Sequence, residues 1–454
     1  MRQTICVIPH ELLGLPVFGW GWALAVWVAI ALIATWMTFR RFGWNTETRG
    51  QLVMATVVAA VLVFVLPAIE VRLPDGRIGI PIRGYGVMLL IAVVAGVGLA
   101  MYLATRHGMH QDVILALAVP MFVTAIVGAR TFFVIQYWDY YRSTPFPEVL
   151  LKIVNITVGG LVVYGALIGG LLAAAWFFYR HKLPVLVMAD LISPSLILGL
   201  SIGRLGCLMN GCCYGGVSDV PWALTFPPEA APYETQLQSG DFHGMRLEQR
   251  DDSHLYVTLR DPQGAAARAH LPDGARLAAI NGHAIDPPTP ALLEQLHQGM
   301  EIETGADGIS TLEVAQILLA DGRDRVALTT DDGRDFGWTL SPFPTRSLPV
   351  HPTQIYASVN ALCIFLFLLA YLPFRRRDGE VFAILMTIYP ITRFLLEIVR
   401  TDEGSFWQTG LTISQNVSIL LLGGAVCLWL YLLRQPARPN VGTFWERPAS
   451  EYRS

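Results

Sequence analysis

The sequence predicts an all-α polytopic membrane protein of about nine transmembrane helices, with an α+β domain inserted on the extracytoplasmic side. Three observations carry that prediction. Of 454 residues, 53% are hydrophobic and only 15% charged, against roughly 25% charged in soluble domains, and the mean hydropathy is +0.47. Apolar stretches near the ~20 residues that a bilayer crossing requires recur along the chain. One polar stretch, from about 217 to 348, interrupts them and is too long for a simple loop. The net charge of −3 is divided between two aqueous faces, and no basic tract suited to nucleic acid is present.

Taken in order, the expected spans lie at 17–39, 51–69, 84–105, 114–136, 159–179 and 190–209, then at 356–373, 380–398 and 411–433. The first lacks a small-residue cleavage site and is longer than a signal peptide's apolar region, so it reads as an uncleaved anchor. Basic residues are retained on the cytoplasmic side of a membrane. Here they follow every odd span: Arg40, Arg41 and Arg49; Arg106; Arg180 and Lys182; Arg375, Arg376 and Arg377; Arg434. The expected orientation therefore has the N-terminus and the polar stretch outside and the C-terminus in the cytoplasm.

Within the polar stretch, His254–Leu259 and Arg325–Thr330 alternate like strands, and Asp273-Gly274, Asp307-Gly308 and Asp332-Gly333 mark turns. Leu277–Ile285, with its Asn281-Gly282 turn, followed by a helical 290–298, is similar to the strand-turn of a PDZ domain over a short length. Any hairpin with an Asn-Gly turn accounts for it equally. The expected organisation is 1–81, two N-terminal helices; 82–216 and 349–434, a discontinuous helical core; 217–348, the insertion; and 435–454, a cytoplasmic tail.

The chemistry concentrates in polar groups that hydrocarbon does not tolerate. The run Gly203–Gly216 holds Arg204, Asn210, three cysteines and five glycines. Unpaired polar groups in the bilayer cost several kcal/mol each, so Arg204 and Asn210 face a wet or protein-lined cavity. Arg393 and Glu397 are four apart and share a helical face, with Arg400 one turn on. An ion pair neutralised for insertion is the alternative; intramembrane charge is more often functional. Arg130 lies mid-span, Tyr85 follows Arg83-Gly84, Tyr164 stands among Gly159, Gly160, Gly165, Gly169 and Gly170, and Gln354 belongs to His351-Pro-Thr-Gln-Ile-Tyr356. Taken singly, Tyr85 or Tyr164 reads as an interfacial aromatic. Together these residues outline a cavity with excess positive charge, suited to a phospholipid phosphate because guanidinium matches phosphate oxygens and stays charged when desolvated.

Of the six cysteines, Cys207, Cys212 and Cys213 cluster. Zinc motifs usually come as separated pairs, and no histidine is near in sequence. The cluster reads as small packing residues beside a cavity, with a disulfide, redox or metal role left open; no metal or cofactor is expected.

At these residues the chain resembles the prolipoprotein diacylglyceryl transferases, over about 82–216 and 351–434. The resemblance rests on Gly203-Arg-Leu-Gly-x-x-x-Asn-Gly-x-x-x-Gly215, on Pro221-Trp-Ala-Leu-Thr-Phe-Pro227, on His351-Pro-Thr-Gln-Ile-Tyr356 and on Arg393-x-x-x-Glu397-x-x-Arg400. It implies transfer of the diacylglyceryl group of phosphatidylglycerol to the lipobox cysteine thiol of prolipoproteins in the bacterial inner membrane, with release of glycerol phosphate. It implies Arg204 and Arg393 as the essential arginines and Glu397 as the essential acid, and it matches Tyr85, Asn210 and Gly215 to family positions; these three, with Arg130, Gln354 and Arg400 from the polar groups above, are the expected substrate-binding residues. Where the family pattern has a histidine this chain has Tyr164, Cys207 replaces an asparagine and Cys212 a glutamate. That leaves Glu397 and Tyr164 as the expected proton acceptors. A transporter of anionic lipids or solutes, or a lipoprotein-binding relative without activity, would also use an arginine-lined cavity. Covalent product formation separates them from the enzyme.

Overall fold

A computed structural model describes residues 3–72, 76–142, 145–154, 160, 162–250, 254–285, 288–289, 292, 310–400 and 410–437. The expected helix at 290–298, the turn at Asp307-Gly308, Gly159 and most of the expected tail lie outside the described residues. The protein is mostly helical. Eight of its described helices are long and apolar enough to cross a membrane: Trp22–Phe42, Thr48–Ala68, Gly84–Arg106, Asp112–Gln136, Val163–His181, Val185–Asn210, Thr353–Phe374 and Ile413–Leu433. The segment expected as a further span is the helix Glu380–Glu397. It carries Glu380, Arg393 and Glu397 within its 18 residues, which makes it too charged to stand with the eight on composition alone.

The chain divides into two units, Arg2–Val87 and Met88–Ser454. In the first, Trp27 on the helix Trp22–Phe42 donates its indole N–H to the Ala55 carbonyl of the next helix at 3.0 Å. That second helix begins at Thr46, capped by the Asn45 side chain, and passes through a π-helical turn at Val61–Val65. The sequence reading saw only helices here. The structure adds a three-stranded antiparallel sheet, with Thr4–Pro9 paired to Ile78–Arg83 and that strand paired to Val71–Arg72. His10 and Glu70 meet at 2.5 Å beside it.

In the second unit, two apolar clusters tie the helices together. Leu103, Val187, Leu191, Ile197, Ile364, Leu368, Val381 and Leu385 are buried in one, and Ile114, Leu117, Phe177 and Met188 with Ala100 and Ala104 in the other. Lipid tails are as apolar as leucine, so packing and hydrogen bonds hold such helices together more than water exclusion does. Both devices are visible. Gly128 and Gly165 face each other so closely that a Cβ on either would run into the other's carbonyl oxygen. Ser201 donates to the Ser358 carbonyl and Ser358 to the Ser201 carbonyl, each at 2.9 Å.

Between Ala231 and Thr339 the secondary structure changes character. The strands Asp335–Thr339, Arg325–Thr330, Leu277–Ile280 and His283–Ala284 form a sheet in that order, and Met245–Gln249 pairs with Leu255–Leu259. The helix Thr311–Gly322 starts with a reciprocal Ser310/Glu313 capping box. Met245, Leu255, Val257, Leu277, Ile280, Val314, Leu319, Val326 and Leu328 make their common core. Asn281 adopts a left-handed φ of 50° in the hairpin turn. Its amide then bridges helix and sheet, donating to the Leu318 carbonyl at 2.8 Å and accepting from the Ala327 N–H at 2.9 Å.

Candidate functional site

The site is built on four helix ends. The helix Glu380–Glu397 presents Tyr389, Arg393 and Glu397 on one face because they are four residues apart. Glu397 is the hub. Its carboxylate is buried and accepts from Arg393 and, at 3.3 Å, from Arg400. Arg393 donates onward to Ser414 Oγ at 2.8 Å. Ser414 lies in the first turn of the helix Ile413–Leu433, behind the Thr412/Gln415 capping box. The guanidinium is thereby held from two helices at once.

Arg204 comes from the last two turns of the helix Val185–Asn210. It lies within electrostatic range of Tyr389, Cys213, Cys207 and Arg400, which joins it to the Arg393 face. Three arginines against one carboxylate leave two net positive charges in a largely buried place. Low local dielectric strengthens what such charges do to an anion.

The Gly211–Gly216 turn closes the site by backbone pairing. Gly215 bridges Arg400; its N–H donates to the His351 carbonyl at 3.0 Å, the Gly216 N–H donates to the Val399 carbonyl at 3.2 Å, and the His351 N–H returns to the Gly216 carbonyl at 3.0 Å. A Cβ on Gly215 would lie 2.7 Å from His351 Cβ and 2.9 Å from the Val399 carbonyl oxygen. Gln354 and Thr353 grip the same turn. Gln354 Nε2 donates to the Cys212 carbonyl at 2.7 Å and Thr353 Oγ1 to the Cys213 carbonyl at 2.6 Å. Asn210 lies beside the Cys212 side chain. The sulfurs of Cys207, Cys212 and Cys213 lie within 4.8 Å of one another, the only such cluster of metal-ligating side chains among the described residues.

The structure thus brings Arg204, Arg393, Glu397, Arg400, Asn210, Gly215 and Gln354 into one connected assembly. Other expected site residues stand differently. Arg130 donates to the carbonyls of Lys152, Ile153 and Gly160 at 2.6, 2.7 and 3.0 Å, pinning the backbone that leads into the next helix. Tyr164 is half-buried in the first turn of the helix Val163–His181. Tyr85 belongs to the N-terminal unit and is exposed there.

The profile of a family described as prolipoprotein diacylglyceryl transferase matches residues 76–431, a stretch that contains every element of this assembly. The chain belongs to the prolipoprotein diacylglyceryl transferase family. A phosphatidylglycerol–prolipoprotein diacylglyceryl transferase of Rhodopirellula baltica is 33% identical over 457 residues, covering 94% of this chain and 88% of that protein. Relatives of the same name from Trichormus variabilis and Acaryochloris marina are each 39% identical, over 153 and 157 residues, about a third of this chain and little more than half of theirs.

Within this family framework, two residues bear on the site that the sequence reading passed over. Ser414 holds Arg393, and its signal was the Thr-x-x-Gln pattern opening the last span. Asp190 is fully buried. It accepts from the N–H groups of Gly379 and Phe382 at 2.8 and 3.0 Å and faces Arg375 at 3.4 Å, so it caps the helix that carries Arg393 and Glu397. Its signal was a lone acid in an otherwise apolar stretch.

Proposed function

We propose that this chain transfers the diacylglyceryl group of phosphatidylglycerol to the lipobox cysteine thiol of prolipoproteins, forming a thioether and releasing glycerol phosphate. The observation that carries the reading is the Arg204, Arg393, Glu397 and Arg400 assembly inside a transferase-family chain. The thiolate sulfur attacks the glyceryl carbon bonded to the phosphate oxygen; the C–S bond forms, the C–O bond breaks, and the electron pair leaves with glycerol phosphate. Charge grows on the leaving phosphate, and Arg204 and Arg393 are the groups that meet it. Removing one such preorganised donor typically costs about 10²–10³ in rate. Glu397 acts by holding two guanidiniums in register.

The proton of the attacking thiol needs less help than usual. An unperturbed thiol has a pKa of about 8.5, and neighbouring positive charge favours the thiolate. We assign Tyr164 or Glu397 as the secondary proton acceptor, and Tyr85, Arg130, Asn210, Gly215, Gln354 and Arg400 to substrate binding or to shaping its pocket.

The basic residues after alternate spans support a bacterial inner-membrane topology with nine crossings, Glu380–Glu397 among them, the N-terminus outside and the C-terminus in the cytoplasm. In that arrangement 217–348 is an extracytoplasmic α+β insertion, placed to recruit prolipoprotein or a secretion partner. Transfer from phosphatidylglycerol to a synthetic lipobox peptide by the purified protein tests the reading. A diacylglyceryl mass increment lost in Arg204→Ala supports it. Absence of product from folded protein with a verified peptide overturns it in favour of binding or transport.

A further inference from the structure

The transfer mechanism makes no use of Cys207, Cys212 and Cys213, yet the fold goes to some length to bring them together. The helix Val185–Asn210 ends in a left-handed cap at Gly211, φ 79°, and the Cys207 carbonyl accepts from both Gly211 N–H at 2.9 Å and Cys212 N–H at 3.2 Å. That double acceptance folds the chain back so that residues 212 and 213 lie over residue 207. Cys213 itself has a φ of 60°, a conformation that a residue with a Cβ adopts at a cost of about 1–2 kcal/mol. Thr353 and Gln354 then fix the carbonyls of Cys213 and Cys212. Strain of this kind, over-determined by its surroundings, is characteristic of functional positions.

We propose that Cys207, Cys212 and Cys213 form a three-thiolate site for a soft, thiophilic d¹⁰ cation of the Zn²⁺ type, set beside Arg204. Three sulfurs already within 4.8 Å of one another need to move by only about 1 Å to reach the ~3.8 Å separations of a tetrahedral site with 2.3 Å metal–sulfur bonds. Thiolates select such cations over hard ones. Three thiolates and a divalent cation sum to one negative charge, and Arg204 and Arg400, both within electrostatic range of Cys213, compensate it. Gln354 Oε1 is buried with no hydrogen-bond partner among the described residues; beside a three-sulfur centre, such an acceptor suits a water in the fourth position. A disulfide would use two of the sulfurs and strand the third, whereas a metal uses all three. By anchoring the turn that carries Gly215, the ion would stiffen the backbone that pairs with His351 and Val399 beside the arginines.

The test is independent of transfer activity. Full-length protein in detergent, with Cys6→Ser, Cys363→Ser and Cys427→Ser, is reduced, treated with chelator and titrated with Cd²⁺. The expected result is thiolate-to-metal absorption that saturates at one ion per chain with the intensity of three thiolates, is displaced by Zn²⁺, and protects all three thiols from alkylation. Cys213→Ser is expected to lose that saturation. Because the first titration leaves the three ligands intact, a poorly folded Cys213→Ser does not decide the outcome. No saturable absorption overturns the site. So does a disulfide among the three in protein whose thiols were trapped at membrane isolation.

Discussion

At the residue scale, the proposed chemistry rests on which guanidinium is held by what. Arg393 is fixed by Glu397 and Ser414, so its truncation and that of its anchor differ in consequence. Arg393→Ala and Arg204→Ala are each expected to lower kcat/KM for transfer about 10²–10³-fold with normal membrane insertion. Ser414→Ala removes one hydrogen bond to a charged group, worth about 1.5–3 kcal/mol at most, and is expected to cost roughly tenfold. Arg393→Lys is expected not to restore activity, because a point charge does not span Glu397, Ser414 and a phosphate together. Steady-state kinetics with a lipobox peptide reads all four. Wild-type turnover in Arg393→Ala would remove it from the mechanism. Gly215→Ala belongs with them. Its new Cβ must separate His351 from Val399, and kcat is expected to fall more than tenfold, the order of loss that follows a misplacement of about 1 Å.

At the element scale, the helix Glu380–Glu397 presents the site only if its N-terminus is secured. Asp190 does this from the neighbouring helix, accepting two backbone N–H groups and opposing the buried Arg375. Removing one partner of a buried pair leaves an uncompensated charge and costs about 3–5 kcal/mol. Asp190→Ala is therefore expected to lower the thermal midpoint of the detergent-solubilised protein and to speed protease cleavage near residues 375–379; an unchanged midpoint would make the cap dispensable. The pair formed by Asp112–Gln136 and Val163–His181 rests on a different device. Gly128 and Gly165 allow backbone contact, so Gly165→Leu is expected to drive these helices apart and to abolish accumulation of folded protein, read by size-exclusion chromatography.

At the scale of the whole molecule, the part built on strands holds a buried histidine of its own. His243 is fully buried, and its Nδ1 accepts from the Trp338 indole at 3.1 Å. Burial pushes it down to about 4, against a weaker opposing hydrogen bond to the Arg323 backbone. A histidine whose folded pKa lies below its unfolded value binds its proton more readily when unfolded. Stability is therefore complete above about pH 6.5 and falls as pH drops from there to about 4, by an amount on the order of 3 kcal/mol. Hydrogen exchange of the full-length protein is expected to accelerate within 245–339 across that window. His243→Phe is expected to remove the acceleration. Identical pH profiles for the two proteins would place the sensitivity elsewhere.

The sequence by itself determined the membrane class, because hydropathy over some 20 residues is a local property, and it singled out the charged residues that the structure brings together, because arginine and glutamate are costly in hydrocarbon and stand out there. The Asn281-Gly282 turn and the strands Leu255–Leu259 and Arg325–Thr330 were legible for the same reason: backbone preference and alternation are written in consecutive residues. Only the tertiary structure decided how those residues meet. The pairing of Thr4–Pro9 with Ile78–Arg83 joins segments some 70 residues apart, and prolines at positions 9 and 81 obscure their alternation. The direction of Arg130 towards three backbone carbonyls, the hold of Ser414 on Arg393, the Asp190 cap and the convergence of three sulfurs each depend on which surfaces pack together. A residue's type sets what it is able to do, and its neighbours in space set which of those things it does.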